Sequence, residues 1–143
     1  MTGQATNVCT LITASCTTGW LDQIHAELWF CADGLLRRSV GLLGTIKHGD
    51  MRGLKPTVDP ENRPVKTFDL EEIRSIVASS RRNHWIAWEG IASASLKRGV
   101  LDHTLRLELG DGSRLKLMWL RMDGGFDDLG EALTQNLGSR FST

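Results

Sequence analysis

The sequence predicts an α+β fold made of antiparallel hairpins and two amphipathic helices. Three observations carry this expectation. Apolar and polar residues alternate in paired runs around Gly-containing turns, the period of a half-buried strand. Two further runs repeat their apolar residues at helical spacing, one in mid-chain and one at the C-terminal end. The length of 143 residues suits one domain with a real core.

The first elements are strands. Residues 8–13 read VCTLIT, and Val, Ile and Thr favour the pleat. The residues before Val8 read as a fraying terminus. Ile24, Ala26, Leu28 and Phe30 alternate with His25, Glu27, Trp29 and Cys31. Period two predicts a strand with one buried face, which leaves Trp29 on the exposed side. Asp33-Gly34 then reads as a positive-φ turn, and LLRRSVGLL returns as the second strand of a first hairpin. Its register stays open.

Residues 47–66 break the pattern and hold all three prolines, Pro56, Pro60 and Pro64. The expectation is a mobile, irregular excursion within a single domain spanning residues 1–143, because neither side carries a full core of its own. A helix follows over residues 69 to about 80. Asp69 caps it, Glu72 completes a capping box, and Phe68 and Ile73 stand as a hydrophobic staple. Leu70, Ile73, Ile76 and Val77 make the buried stripe. Arg81 and Arg82 sit where the helix dipole favours cations.

Parity fixes the hairpin over residues 104–120. Leu105, Leu107 and Leu109 share one face, and Leu115, Leu117 and Trp119 share one face of the next strand. A two-residue Asp111-Gly112 turn would oppose Leu107 to Lys116 and put a charge into the core. A three-residue loop of Gly110, Asp111 and Gly112 opposes Leu107 to Leu115 and Leu105 to Leu117. That loop class ends in a positive-φ residue, which suits Gly112. It also pairs Glu108 with Arg114 and sets Arg106 against Lys116 on the outer face. Phe126, Leu129, Ala132, Leu133 and Leu137 then form one helical stripe, with Asp127 and Asp128 in the first turn and Gly138 as C-cap.

From Ile86 onward the order resembles bacterial pleckstrin-homology-like (PH-like) and GRAM-type domains. The residues that carry this are Ile86, Trp88 and Ile91 as an I-x-W-x-x-I entry, the strand ending in Leu96-Lys97-Arg98-Gly99, the L-x-L-x-L hairpin, and a last helix ending in Leu137-Gly138. The resemblance covers about the last two-fifths of the chain. It implies a bent antiparallel sheet or partly open barrel, plugged at one end by the C-terminal helix. It also implies a scaffold that binds lipids, peptides or proteins. The mid-chain helix and the proline-containing excursion depart from the usual pattern.

Composition excludes several classes. Seventeen basic and seventeen acidic side chains balance, so no global charge draws the chain to nucleic acid. No run approaches the length of a membrane span, and the first charged residue is Asp22, so no basic leader is expected. Cys9, Cys16 and Cys31 lack metal-ligand spacing and read as reduced, partly buried thiols of a cytoplasmic protein, with a Cys9–Cys16 disulfide as the alternative. Five Trp and no Tyr suggest core anchors, with Trp88 and Trp119 packed inside.

Charge is nevertheless uneven. Seven basic residues face three acidic ones between Gly34 and Lys66, and two face four from Arg121 onward. The candidate binding residues are therefore Trp29, Arg37, Arg38 and Lys47. An exposed Trp29 beside Arg37 and Arg38 would anchor a partner. In the resembled family, basic residues near the first hairpin hold phosphorylated headgroups, and Arg37 and Arg38 are the nearest equivalents. Lys97-Arg98 before Gly99 reads as a polar turn flank. No GxSxG, P-loop or GxGxxG appears, and His25, His84 and His103 are scattered. No catalytic residue, metal or cofactor is expected. The expected function is a non-enzymatic binding module whose ligand is a protein partner or a second copy. Binding to anionic lipid headgroups through Arg37, Arg38 and Lys47 is the alternative. An enzyme built on His48 and Asp50 comes third.

Overall fold

The computed structural model describes residues 6–18, 25–39 and 56–143. Among these the chain is α+β, with two sheets, two α-helices and no closed barrel. The strands are β1 (Thr6–Cys16), β2 (Ala26–Cys31), β3 (Gly34–Ser39), β4 (Val65–Asp69), β5 (His84–Ala87), β6 (Ile91–Lys97), β7 (Asp102–Leu109), β8 (Arg114–Leu120) and the short β9 (Phe141–Ser142). Helix α1 (Leu70–Ser79) lies between β4 and β5, and α2 (Phe126–Leu137) follows β8. The first sheet runs β4-β1-β2-β3-β5, all antiparallel. The second runs β8-β7-β6-β9 and is mixed, since β9 lies parallel to β6. A bridge between Thr17 and Met118 joins the end of β1 to β8.

The first hairpin closes differently from the sequence expectation. Phe30 opposes Leu35 and Trp29 opposes Leu36, which leaves Ala32-Asp33 as the turn. Gly34 belongs to β3 and does not have positive φ. Its role is close approach: a Cβ there would stand 2.3 Å from the Ile86 carbonyl oxygen of β5. The turn is clamped from across the sheet. The Trp88 backbone N–H donates to Asp33 O at 3.1 Å, and its indole Nε1–H donates to Ala32 O at 3.0 Å. Trp88 begins a 3-10 turn, Trp88–Gly90, where the chain leaves the first sheet for the second. The I-x-W-x-x-I entry is thus two strands in two sheets.

The second hairpin has the register that parity demanded. Leu107 opposes Leu115, Leu105 opposes Leu117, Glu108 opposes Arg114 and Arg106 opposes Lys116. Gly112 has φ +87°, and the Leu109 N–H donates to Ser113 O at 2.8 Å across the loop. The Ser113 hydroxyl and backbone N–H both donate to Asp111, and these bonds hold its carboxyl below the usual aspartate value.

Helix α1 starts with the full capping box: the Glu72 N–H donates to Asp69 Oδ1 at 2.7 Å, and the Asp69 N–H donates back to Glu72 Oε1. Arg81 and Arg82 fall beyond its C-cap Ser80, outside the last turn. Helix α2 ends at Gly138 as expected, but the chain then continues through a 3-10 turn into β9. Arg140 fastens this end, its Nη1 donating to the Ile91 carbonyl at 2.6 Å.

Two apolar layers result. Between the sheets, Leu28 and Leu35 pack with Leu96, Leu105, Leu107, Leu117 and Trp119, under the Leu129, Leu133 and Leu137 stripe of α2. On the opposite side of the first sheet, Cys9, Trp29, Cys31, Leu36, Phe68 and Ile73 form a second cluster beneath α1. Cys9 and Cys31 are directly opposed on β1 and β2, with Cα atoms 4.0 Å apart, and are joined as a disulfide. This corrects both expectations for the thiols; Cys16 is buried outside the bridge. The cytoplasmic expectation rested partly on reduced cysteines and loses that support.

The excursion over residues 47–66 is also corrected where it is described. Residues 56–64 are irregular, yet Val58 is buried in the second cluster. Arg63 donates to Ile12 O and Asp123 O, and Val65 and Lys66 already belong to β4. Residues 47–55 lie outside the described residues.

Candidate functional site

Trp29, the proposed contact residue, is only 1% exposed. Alternation put it on the face opposite Leu28, which is correct, but α1 covers that face as well. Its ring meets Phe68 edge-on at 5.4 Å between centroids, and its Nε1–H donates to Glu27 at 3.2 Å. Arg37 is 2% exposed; its Nη1 donates to the Arg82 carbonyl at 2.6 Å and so holds the segment between α1 and β5. Arg38 keeps part of its exposure and stands 4.0 Å from Glu27. Lys47, His48 and Asp50 lie outside the described residues. Trp29 and Arg37 therefore serve the interior, and neither shares an exposed surface with Arg38.

A buried polar constellation was missed by sequence reasoning. Asp123 is fully buried and accepts hydrogen bonds from the Thr13, Ser15 and Thr57 hydroxyls and from the Thr57 N–H. Arg63, in turn, donates to the Asp123 carbonyl and lies 3.6 Å from Asp128. Thr13 and Ser15 sit two apart on β1, more than a hundred residues before Asp123, so no local pattern announces the cluster. With no solvent access the carboxylate works as a fastener. It ties β1 and residues 56–64 to the connection between β8 and α2.

Two histidines are perturbed. Burial lowers the His84 pKa, and the Arg37 guanidinium lowers it further. Burial also lowers that of His103, with Arg98 and Arg121 acting in the same direction and Asp127 against them. His103 packs against Trp119 and Phe126, and its Nδ1 has no hydrogen-bond partner among the described residues. Among the described residues no group of three or more His, Cys, Asp or Glu is placed to hold a metal. No described helix is long and apolar enough to cross a membrane.

Two surfaces of the described residues bear on binding. The first is the outer edge of β4. Residues Val65, Lys66 and Thr67 are exposed, and β4 ends the sheet. The Leu11 N–H donates to Pro64 O, so alternation turns the backbone groups of Lys66 inward to β1 and those of Val65 and Thr67 outward. Val8 and Val65, diagonal neighbours across β1 and β4, are 58% and 60% exposed beside that edge. The second is the outer face of β6, β7 and β8, a depression of about 720 Å³ that includes Arg106, Arg114 and Lys116. Comparison with protein-family models, curated proteins and solved structures finds no match to this chain.

Proposed function

We propose that the chain is a non-enzymatic binding module that takes a protein strand, in the simplest case from a second copy of itself, along the outer edge of β4. The observation that carries this reading is the edge at Val65 and Thr67, unpaired among the described residues, with two half-exposed valines at it. Isolated sheet edges of this kind template strand addition. Lys66 is the single charged residue among the three exposed ones, a light guard against pairing. Antiparallel pairing of β4 with its copy would be isologous, so one surface serves both partners.

The PH-like reading of the fold is part of the same proposal. Strands β1, β2, β3 and β5 follow one another across the first sheet, and β6, β7 and β8 across the second. Helix α2 covers the space between them. This supports a partly open barrel with a plugging helix, in which β4 and α1 are an insertion added to the β1 edge. The lipid alternative is not favoured, because Arg37 is buried and Arg38 faces Glu27.

Light scattering on the eluting protein over a wide range of concentration tests the association. A concentration-dependent dimer is expected, with Thr67→Pro removing it, since that position donates nothing to β1 and a proline blocks the edge. Val65→Lys provides a milder second variant. A monomer throughout, with no protein co-purifying from native cells, would overturn the proposal.

A further inference from the structure

The four-stranded sheet carries its cations in an arrangement that protein stability does not explain. Arg106 and Lys116 oppose each other across β7 and β8, and Arg114 lies two pairs along, on the same face, opposite Glu108. Opposed like charges destabilise a strand pair. None of the three cations makes a hydrogen bond or ion pair among the described residues. Ser95 of β6 stands opposite Arg106, and Ser142 of β9 beside Ser95. A row of Lys116, Arg106, Ser95 and Ser142 therefore crosses all four strands, about 14 Å at the ordinary strand spacing.

The face is concave. Its depression of about 720 Å³ falls within the range of small-molecule sites, and β9 forms one rim. Arg140 on that rim is engaged by the carbonyls of Trp88 and Ile91, which leaves Arg106, Arg114 and Lys116 facing a single carboxylate, Glu108. Guanidinium forks and hydroxyls together match the oxygens of phosphate, the guanidinium binding two at once. No aromatic side chain lines the depression, so nothing there stacks on a base, and single-stranded nucleic acid does not fit.

We infer that the concave outer face of β6, β7 and β8 is a binding site for a soluble phosphate-bearing molecule, gripped by Arg106, Lys116 and Arg114 and oriented by the hydroxyls of Ser95 and Ser142. This site lies on the other sheet from the β4 edge and is independent of it.

Calorimetric titration of the intact chain with tripolyphosphate tests the inference. Parallel titrations use phosphatidylcholine vesicles carrying a phosphoinositide. Saturable tripolyphosphate binding is expected, weakened by added salt. The double variant Arg106→Thr with Lys116→Thr should bind at least about tenfold more weakly and melt about 2 °C higher, as the opposed charges are relieved. Arg74→Ser, on exposed α1, should bind as the unaltered protein does. Lys116→Thr alone serves if the double variant does not fold. Absence of tripolyphosphate binding, or an equal loss in Arg74→Ser, would overturn the site. Binding confined to vesicles would overturn the soluble ligand and assign the chemistry to a lipid headgroup.

Discussion

The fully buried Asp123 side chain accepts four hydrogen bonds, and its removal isolates their worth. Asp123→Ala would strand the Thr13, Ser15 and Thr57 hydroxyls and the Thr57 N–H in a buried site. A loss of about 3 kcal/mol is expected, read by urea unfolding at neutral pH. A change within experimental error would show that the cluster is not a fastener. His103 acts through protonation. Its folded pKa is lowered from 6.5 mainly by burial, so its contribution is present above about pH 6.5 and lost as pH falls, when the unfolded chain binds the proton more readily. Unfolding free energy should drop between pH 7.5 and 5.5, and less so in His103→Phe; equal slopes would exclude His103 as the cause. Both residues were obscure in the sequence for one reason. Their burial depends on elements that arrive from elsewhere: β1 and residues 56–64 for Asp123, and α2 for His103.

Element boundaries followed local chemistry where local chemistry was strong. The Asp69–Glu72 box and the parity of the Leu105–Trp119 hairpin were both legible, because each is decided within about a dozen residues. Gly112 is the pivot of that hairpin, and Gly112→Ala at φ +87° should cost about 1 kcal/mol by thermal melting without altering the fold. An unchanged or raised melting temperature would refute the strain. The first hairpin was less legible. Asp33-Gly34 reads locally as a turn, whereas Gly34 is needed where β5 closes on β3, and β5 is about fifty residues away. The Cys9–Cys31 bridge likewise depends on the pairing of β1 with β2. It closes a separation of 22 residues, so Cys31→Ala should lower stability by about 3 kcal/mol. Denaturant curves with and without reductant check this: reduction should shift the unaltered protein and leave Cys31→Ala in place.

At the scale of the whole molecule, the inter-sheet layer draws on both sheets and α2, so the two sheets should unfold together. Leu105→Ala, at a fully buried position, should destabilise by about 3 kcal/mol. Fluorescence from Trp29 in the first sheet and Trp119 in the second, each isolated by Trp→Phe replacement, should report coincident transitions. Separate midpoints would divide the chain into two units. The sequence by itself determined the α+β class, both helices and the second hairpin's register, since periodicity and capping are short-range effects. It also placed Trp29 correctly on the face away from Leu28. Only the tertiary structure decided that this face is covered too. Helix α1 folds back over the first sheet, buries Trp29 and the Cys9–Cys31 bridge, and removes the predicted contact surface. Meanwhile Arg106 and Lys116, legible from the register as an opposed pair and so as either a small electrostatic cost or a small basic patch, sit on a face that no described element covers. A strand's alternation shows which side chains share a face. It does not show what the rest of the chain lays upon that face, because the burial is settled by contacts between segments far apart in sequence.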